Sequence, residues 1–153
     1  MISCSKEPLI EMDRATFEKE FAAWSAQNME NYKFIYDYFS AGGPLGPVSI
    51  IIAENEDPVV ENLEYSSLEN YPANMIKSMS GIFDFIRETF DRIEDIKNGA
   101  YNTKDMTVSS VSLRIKYNAQ YHYPEEVTYV VSYKQEVMGN PHYDLKITEF
   151  ILN

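Results

Sequence analysis

Two histidines are the residues best suited to chemistry near neutral pH, because imidazole can bind zinc or transfer a proton. His122 and His142 are twenty residues apart, and Glu125, Glu126 and Asp144 lie near them in the chain. A zinc site built from these groups would require the two histidine loops to meet. Because no nearby cysteine and no second histidine on a helix completes a ligand set, we interpret both as independent histidines in surface loops.

Sequence motifs of the common catalytic classes are missing. The sequence has no Gly-x-Ser-x-Gly turn to present a nucleophilic serine. The glycine-rich stretch at Gly42, Gly43 and Gly46 lacks the Lys-Ser/Thr pair of a phosphate-binding loop. We therefore expect a non-catalytic protein that requires no cofactor, and we keep a small metal-dependent enzyme as an alternative.

The single cysteine, Cys4, cannot form an internal disulfide, but its neighbours indicate a different modification. Ser3 and the apolar residues before it resemble the end of a bacterial lipobox, where a signal peptidase cleaves ahead of a lipid-bearing cysteine. Three residues cannot hold the charged and apolar regions of a signal peptide, so this interpretation places those regions upstream of Met1. The alternative is a chance cysteine near a cytosolic N terminus.

Acidic side chains dominate the surface chemistry. The 24 Asp and Glu residues outnumber the 13 Lys and Arg residues, which gives a net charge of −11 and excludes nucleic acid and bare anionic membranes as partners. No basic residue lies between Lys33 and Lys77. That interval contains a predicted acidic patch, which consists of Glu54, Glu56, Asp57, Glu61 and Glu64. The patch fits either a solvated edge that maintains solubility or a docking surface for a basic partner.

Tyrosine supplies a second candidate surface, because the chain contains 12 tyrosines, more than one core face requires. Tyrosine is enriched at recognition surfaces, where it offers a large contact area at a low entropic cost. The predicted exposed set is Tyr36, Tyr38, Tyr65, Tyr71, Tyr121 and Tyr123. The alternative is that these rings cover the solvent side of a sheet without binding anything.

The elements that position these residues form two similar cycles of one helix and three strands. Asp13 caps a helix predicted over 14–28, and a second helix with an apolar stripe from Met75 to Ile93 ends at Asn98-Gly99. The strands are predicted over 32–39, 48–53, 59–65, 110–117, 127–133 and 143–149, with a loop over 41–47. We predict a two-layer α+β fold in the order α-β-β-β-α-β-β-β, with both helices on one face of an antiparallel sheet. Residues 13–153 form a single domain after an N-terminal tether over 1–12.

One segment resembles a known family. Residues 117–124, Tyr-Asn-Ala-Gln-Tyr-His-Tyr-Pro, resemble the Tyr-Asp-x-x-Tyr-Gly-Tyr-Pro segment of small bacterial envelope lipoproteins classed only as a domain of unknown function. Asn118 and His122 replace the usual Asp and Gly, and a glycine there would suit a left-handed turn residue. The likeness extends over about 13–153 through Trp24, the Gly81–Asp84 stretch and the Glu149-Phe150 pair. It implies secretion and a lipid on Cys4, and it implies no activity.

Two functions of different classes follow from these observations. The first is a monomeric envelope lipoprotein that acts by binding and touches the membrane only through the lipid on Cys4. The second takes Met1 as the true start and describes a cytosolic acidic protein that neutralises a basic partner, as toxin-immunity proteins do. The partner or small ligand is not specified by the sequence in either case.

Overall fold

Helix α1 spans Arg14–Ala26 and begins at the predicted cap. The computed structural model describes residues 7–62 and 72–153. Asp13 accepts a hydrogen bond on Oδ1 from the backbone N–H of Thr16 at 2.9 Å. This backbone hydrogen bond, together with one from the Thr16 hydroxyl, lowers the pKa of the Asp13 carboxyl. The predicted helix is therefore confirmed, although it ends two residues earlier than its apolar spacing suggested.

Helix α2 spans Met79–Lys97 and begins one turn later than predicted. Ser78 caps it by accepting the backbone N–H of Gly81 on Oγ at 3.0 Å. Pro72 and Met75 belong to a separate turn, in which the Met75 N–H donates to the Pro72 carbonyl at 2.9 Å. The predicted apolar stripe is confirmed from Met79 onward, since Ile82, Phe83, Ile86, Phe90 and Ile93 are all buried. After the helix, Gly99 takes the left-handed conformation, with φ +93°.

The described residues form seven strands in one sheet. They are β1 Leu9–Glu11, β2 Tyr32–Ser40, β3 Gly43–Ile52, β4 Val59–Asn62, β5 Val108–Tyr117, β6 Pro124–Tyr133 and β7 His142–Leu152. The spatial order is β1-β5-β6-β7-β2-β3-β4, and every pair is antiparallel except β1 with β5. Two local meanders, β2–β4 and β5–β7, are therefore joined where β2 pairs with β7.

Strand β1 corrects the predicted element order to β-α-β-β-β-α-β-β-β. It lies within the predicted tether and pairs in parallel with β5, placing Ile10 opposite Val111. Three residues are too few to show an alternating pattern, so the sequence could not distinguish this strand from a tether. An ion pair between Glu11 and Arg114, at 2.8 Å, crosses the same pair of strands and lowers the pKa of Glu11.

Strand β3 corrects the second boundary, because it includes most of the loop predicted over 41–47. Gly43 and Gly46 have φ values of +100° and +110°, so the strand passes through backbone conformations that favour glycine. The Gly46–Pro47 peptide bond is cis. Glycines and prolines usually interrupt strands, whereas here they form an irregular strand with a bulge. Strand β4 is confirmed over 59–62, and residues 63–65 of the prediction lie outside the described residues.

Both helices pack on the same face of the sheet, as predicted. The ring of Trp24 in α1 contacts Tyr32 edge-on, with the centroids 5.6 Å apart. The ring of Phe85 in α2 contacts Tyr38 in the same geometry at 5.9 Å. Tyr32 and Tyr38 lie on the same side of β2, because alternate side chains of a strand share a face. The two-layer α+β arrangement is therefore observed among the described residues.

The buried tyrosines differ in how their hydroxyl groups are satisfied. Tyr32 accepts the backbone N–H of Met79 at 3.1 Å, and the Tyr143 hydroxyl lies 2.6 Å from Thr89 Oγ1. The Tyr36 hydroxyl is fully buried and has no hydrogen-bond partner among the described residues. Burial raises the pKa of both Tyr36 and Tyr143, so both remain protonated at neutral pH.

Replacing Tyr36 with phenylalanine should leave the free energy of unfolding unchanged or raise it, because the lost hydroxyl has no partner. Tyr143→Phe is the matched control and should lower that free energy by about 1 kcal/mol, since it removes the hydrogen bond with Thr89. Urea unfolding of both variants measures the two changes. Equal losses in the two variants would contradict this assignment of the hydroxyl groups.

Candidate binding site

The predicted tyrosine surface is mostly core. Tyr36, Tyr38 and Tyr123 are buried, and Tyr121 is half-buried, so the prediction that these rings are exposed is wrong. Tyr36 and Tyr38 lie on the helix-facing side of β2, and Tyr123 packs edge-on against Trp24 at 6.3 Å. The surplus of aromatic rings fills the space between a wide sheet and two helices. Tyr65 and Tyr71 lie outside the described residues, as does Cys4.

The predicted acidic patch is exposed wherever it is described. Glu54, Glu56 and Asp57 occupy the turn between β3 and β4, and Glu61 follows on β4. None of these four carboxylates forms an ion pair with a described residue, and Glu64 lies outside the described residues. We keep the name acidic patch for Glu54, Glu56, Asp57 and Glu61.

The turn between β5 and β6 is built around Asn118. Its Oδ1 accepts the backbone N–H groups of Gln120 and Tyr121 at 3.0 and 2.7 Å, and its Nδ2 donates to Glu125 at 2.8 Å. His122 takes a left-handed conformation, with φ +66°, where the resembled family has glycine. Its Nδ1 lies 2.7 Å from Glu20 Oε2, so the side chain links the turn to α1. A glycine at this position could not form this contact.

The two histidines do not share a site. His142 pairs across the sheet with Val130, while His122 precedes β6. Val130 lies six residues after Pro124, the first residue of β6, so the two histidines are roughly 20 Å apart. His142 Nδ1 lies 2.8 Å from the carbonyl oxygen of Asn140. Among the described residues, no group of three or more histidine, cysteine, aspartate or glutamate side chains is arranged to hold a metal ion.

The face of the sheet that points away from the helices carries a series of ion pairs. We call it the open face; its side chains include Lys33, Asp37 and Phe39 of β2 and Asp144 and Lys146 of β7. The pairs and their N–O distances are Arg114–Glu11 at 2.8 Å, Lys146–Glu126 at 3.6 Å, Lys33–Glu149 at 3.8 Å and Lys116–Glu125 at 3.8 Å. Exposed pairs of this kind stabilise a fold very little, but they neutralise the cations of the face.

Two carboxylates of the open face remain without such a partner. Asp37 and Asp144 are both exposed, and neither forms an ion pair with a described residue. Asp37 lies directly across from Lys146 in the β2–β7 register. The Lys146 ammonium nevertheless interacts with Glu126 of β6, on the opposite side of β7 from β2. Negative charge is therefore left over at the junction of β2 and β7.

This junction borders a cavity of about 460 Å³, which we call the bulge pocket. It is lined by Asp37, Tyr38 and Phe39 of β2, the Pro44–Pro47 segment of β3, and Asp144 and Lys146 of β7. Tyr36 pairs with Val48 and Tyr38 with Leu45, so Asp37 faces the two residues Gly46 and Pro47. The extra residue forms a bulge in β3 beside the open face.

The pocket combines negative charge with an exposed aromatic ring. Phe39 is 49% exposed and lies across from Asp144 in the register. Asp37 and Asp144 are diagonal neighbours on adjacent strands, a relation that separates two residues by about 7–8 Å and their β-carbons by somewhat less. Two carboxylates beside an aromatic ring suit a cationic group, which can interact with both.

Sequence reasoning missed this pocket. Asp37 was included in an aromatic strand and Asp144 in the last strand, and no local pattern connects residues more than one hundred positions apart. The one signal in the sequence was Asp37, a charged residue in a strand that is mostly aromatic, whereas Asp144 belongs to the regular alternation of polar residues along β7. The pairing of β2 with β7 is a tertiary property.

Comparisons with known proteins add no assignment: no protein-family model, curated protein or solved structure matches the chain. The resemblance of residues 117–124 to a lipoprotein family therefore stays a prediction. Neither described helix is long and apolar enough to cross a membrane.

Replacing Gly46 with alanine should destabilise the protein and disturb the bulge pocket. A Cβ at this position would lie 2.9 Å from the Tyr36 carbonyl oxygen and 3.2 Å from the Val48 nitrogen, with φ at +110°. Gly139→Ala is the matched control, because Gly139 also has a positive φ, +80°, but its Cβ would meet nothing within 4 Å.

We expect Gly46→Ala to lower the free energy of unfolding by at least about 1 kcal/mol more than Gly139→Ala, since only the first adds a backbone clash to the conformational strain. Urea unfolding measures both values. Equal losses would mean that the β3 bulge relaxes without resistance.

Proposed function

We propose that this protein is a non-catalytic binding module that recognises a basic protein segment through the open face of its sheet. The observation that carries the proposal is the pair of unmatched carboxylates, Asp37 and Asp144, beside the exposed ring of Phe39. The four basic residues described on the same face each have an acidic partner. A basic segment would supply the charge that the bulge pocket lacks.

The overall charge supports the same class of partner. A net charge of −11 attracts basic molecules over a distance and raises their association rate. The acidic patch lies about seven residues along β3 from the bulge pocket, which corresponds to roughly 20 Å. A protein interface of ordinary size covers both regions. The patch would steer the partner, and the pocket would fix its position.

The open face also has the apolar component that protein interfaces need. Val59 and Ile151 are exposed hydrophobic residues on the same face, in one cross-strand row that also contains Ile51 and Lys33. Apolar groups surrounded by charged ones are typical of protein-binding surfaces. Phosphate-rich partners are disfavoured by the unmatched carboxylates.

This proposal is compatible with both cellular locations that the sequence suggests, the envelope and the cytosol. An acidic protein that neutralises a basic partner would use the open face directly, as the cytosolic alternative requires. A lipid-anchored envelope protein could use the same face, because the described lining of the bulge pocket consists of Asp37 and residues after it in the chain. The cellular location is tested by a separate experiment.

Binding of a basic probe should map to the open face. We would titrate the isotope-labelled protein with a synthetic twelve-residue peptide of alternating arginine and glycine at physiological ionic strength. The chemical shifts of backbone amides on β2, β3 and β7 should change on addition of the peptide. These changes should become smaller as salt is added, because salt screens exposed charges.

A peptide with glutamate in place of arginine is the control, and it should leave the spectrum unchanged. The proposal is wrong if the basic peptide perturbs the helix face as strongly as the open face, since that result indicates general attraction to a negative protein. It is also wrong if the basic peptide causes no change.

Lipid anchoring at Cys4 is a separate proposal that rests on the sequence. The product of the complete gene, expressed in a bacterial host with labelled fatty acid, should carry the label and partition with membranes. Several acyl chains are needed for a stable anchor, because a single chain binds only marginally. Cys4→Ser should abolish labelling and leave the fold intact, since the first strand that the structure describes begins at Leu9. Recovery of unlabelled protein from the cytosol with Met1 present would contradict this address.

A further inference from the structure

We propose that the bulge pocket holds one arginine side chain of the partner, with its guanidinium group between Asp37 and Asp144 and against the ring of Phe39. This inference rests on the proposed function and specifies the side chain that the site recognises. It follows from three properties of the pocket: the arrangement of its charges, the exposure of its aromatic ring and the ion pair that its lysine already forms with Glu126.

The two carboxylates stand on opposite strands of one antiparallel pair. Asp37 lies across from Lys146 and Phe39 across from Asp144, so the four side chains form a square with the carboxylates on one diagonal. That diagonal separates two residues by about 7–8 Å and their β-carbons by somewhat less. Guanidinium has five N–H donors in one plane and can reach carboxylates on two sides, whereas an ammonium group is a compact point charge.

The ring of Phe39 supplies a surface for the same group. It lines the pocket and is 49% exposed, although phenylalanine is usually buried. Its described ring contact is with His142, with the centroids 5.9 Å apart and the planes tilted by 39°. Guanidinium stacks on aromatic faces more readily than ammonium does, which favours arginine over lysine.

Lys146 does not fill the site from within. It lines the pocket, but its Nζ lies 3.6 Å from Glu126 Oε1, on the side of β7 away from Asp37. The cavity of about 460 Å³ falls within the range of sites that hold small molecules and single side chains. The charged side chains around the cavity are thus two carboxylates that form no ion pair with a described residue and one ammonium group that is already paired.

The test uses three short peptides of the form acetyl-Gly-Gly-X-Gly-Gly-amide, in which X is arginine, lysine or citrulline. Citrulline has almost the shape of arginine but no charge. Amide shifts of Asp37, Phe39 and Asp144 should saturate with the arginine peptide and should not move with the citrulline peptide. The lysine peptide should bind more weakly than the arginine peptide.

Matched variants separate the pocket from the general charge of the protein. The double variant Asp37→Asn/Asp144→Asn should weaken binding of the arginine peptide about tenfold, the factor expected from losing two exposed ion pairs. The double variant Glu30→Gln/Asp95→Asn removes the same charge at two exposed positions outside both the bulge pocket and the acidic patch. It should change the affinity less than about twofold, because salt screens distant charges. Phe39→Leu should reduce the preference for arginine over lysine.

The possible outcomes distinguish this inference from the proposed function. Equal binding of the arginine and citrulline peptides by the wild-type protein overturns the inference, whatever the variants do. Equal effects of the two double variants also overturn it, while binding of the longer basic peptide to the open face would leave the proposed function standing. If no basic peptide perturbs the open face, both proposals fail.

Discussion

The structure depends on how the buried side of β2 is packed, and Tyr32 is the residue at which its parts meet. The Tyr32 ring contacts Trp24 of α1 and Phe150 of β7, with centroid distances of 5.6 and 5.8 Å. Its hydroxyl accepts the first backbone N–H of α2, a group that has no partner within the helix. One side chain therefore connects both helices to the centre of the sheet. A phenylalanine at this position would keep the ring contacts but leave the helix N–H group unsatisfied.

Packing both helices on one side determines which side of the sheet stays exposed. The helix side is filled with aromatic rings, while the opposite side carries its own ion pairs and the exposed apolar residues Phe39, Val59 and Ile151. The bulge in β3 then opens a cavity next to two carboxylates that come from different halves of the chain. A regular strand would place one residue opposite Asp37 instead of two. The irregularity of β3 and the two carboxylates without an ion pair among the described residues distinguish this part of the open face from the rest of it.

Local patterns in the sequence predict most of the elements but not their arrangement. Asp13 and Gly99 identify helix ends because capping is a local interaction, and the stripe through Ile82, Phe83 and Phe90 identifies the buried side of α2. The tyrosines of β2 were assigned to the wrong side, because Ile35 and Phe39 make both sides of that strand apolar. Pairing of β2 with β7 brings Asp37 and Asp144 together, and no local pattern specifies it.

The order of strands also has a consequence for folding during synthesis. β2 finds one neighbour, β3, within a few residues, but its other neighbour is β7, more than one hundred residues later. A growing chain therefore carries an unpaired β2 edge until β7 has left the ribosome, and an exposed edge can pair with other chains. Lys33 and Asp37 place charges along this edge, which discourages such pairing. The charged residues of the open face in the finished protein would thus protect the partly formed sheet from aggregation.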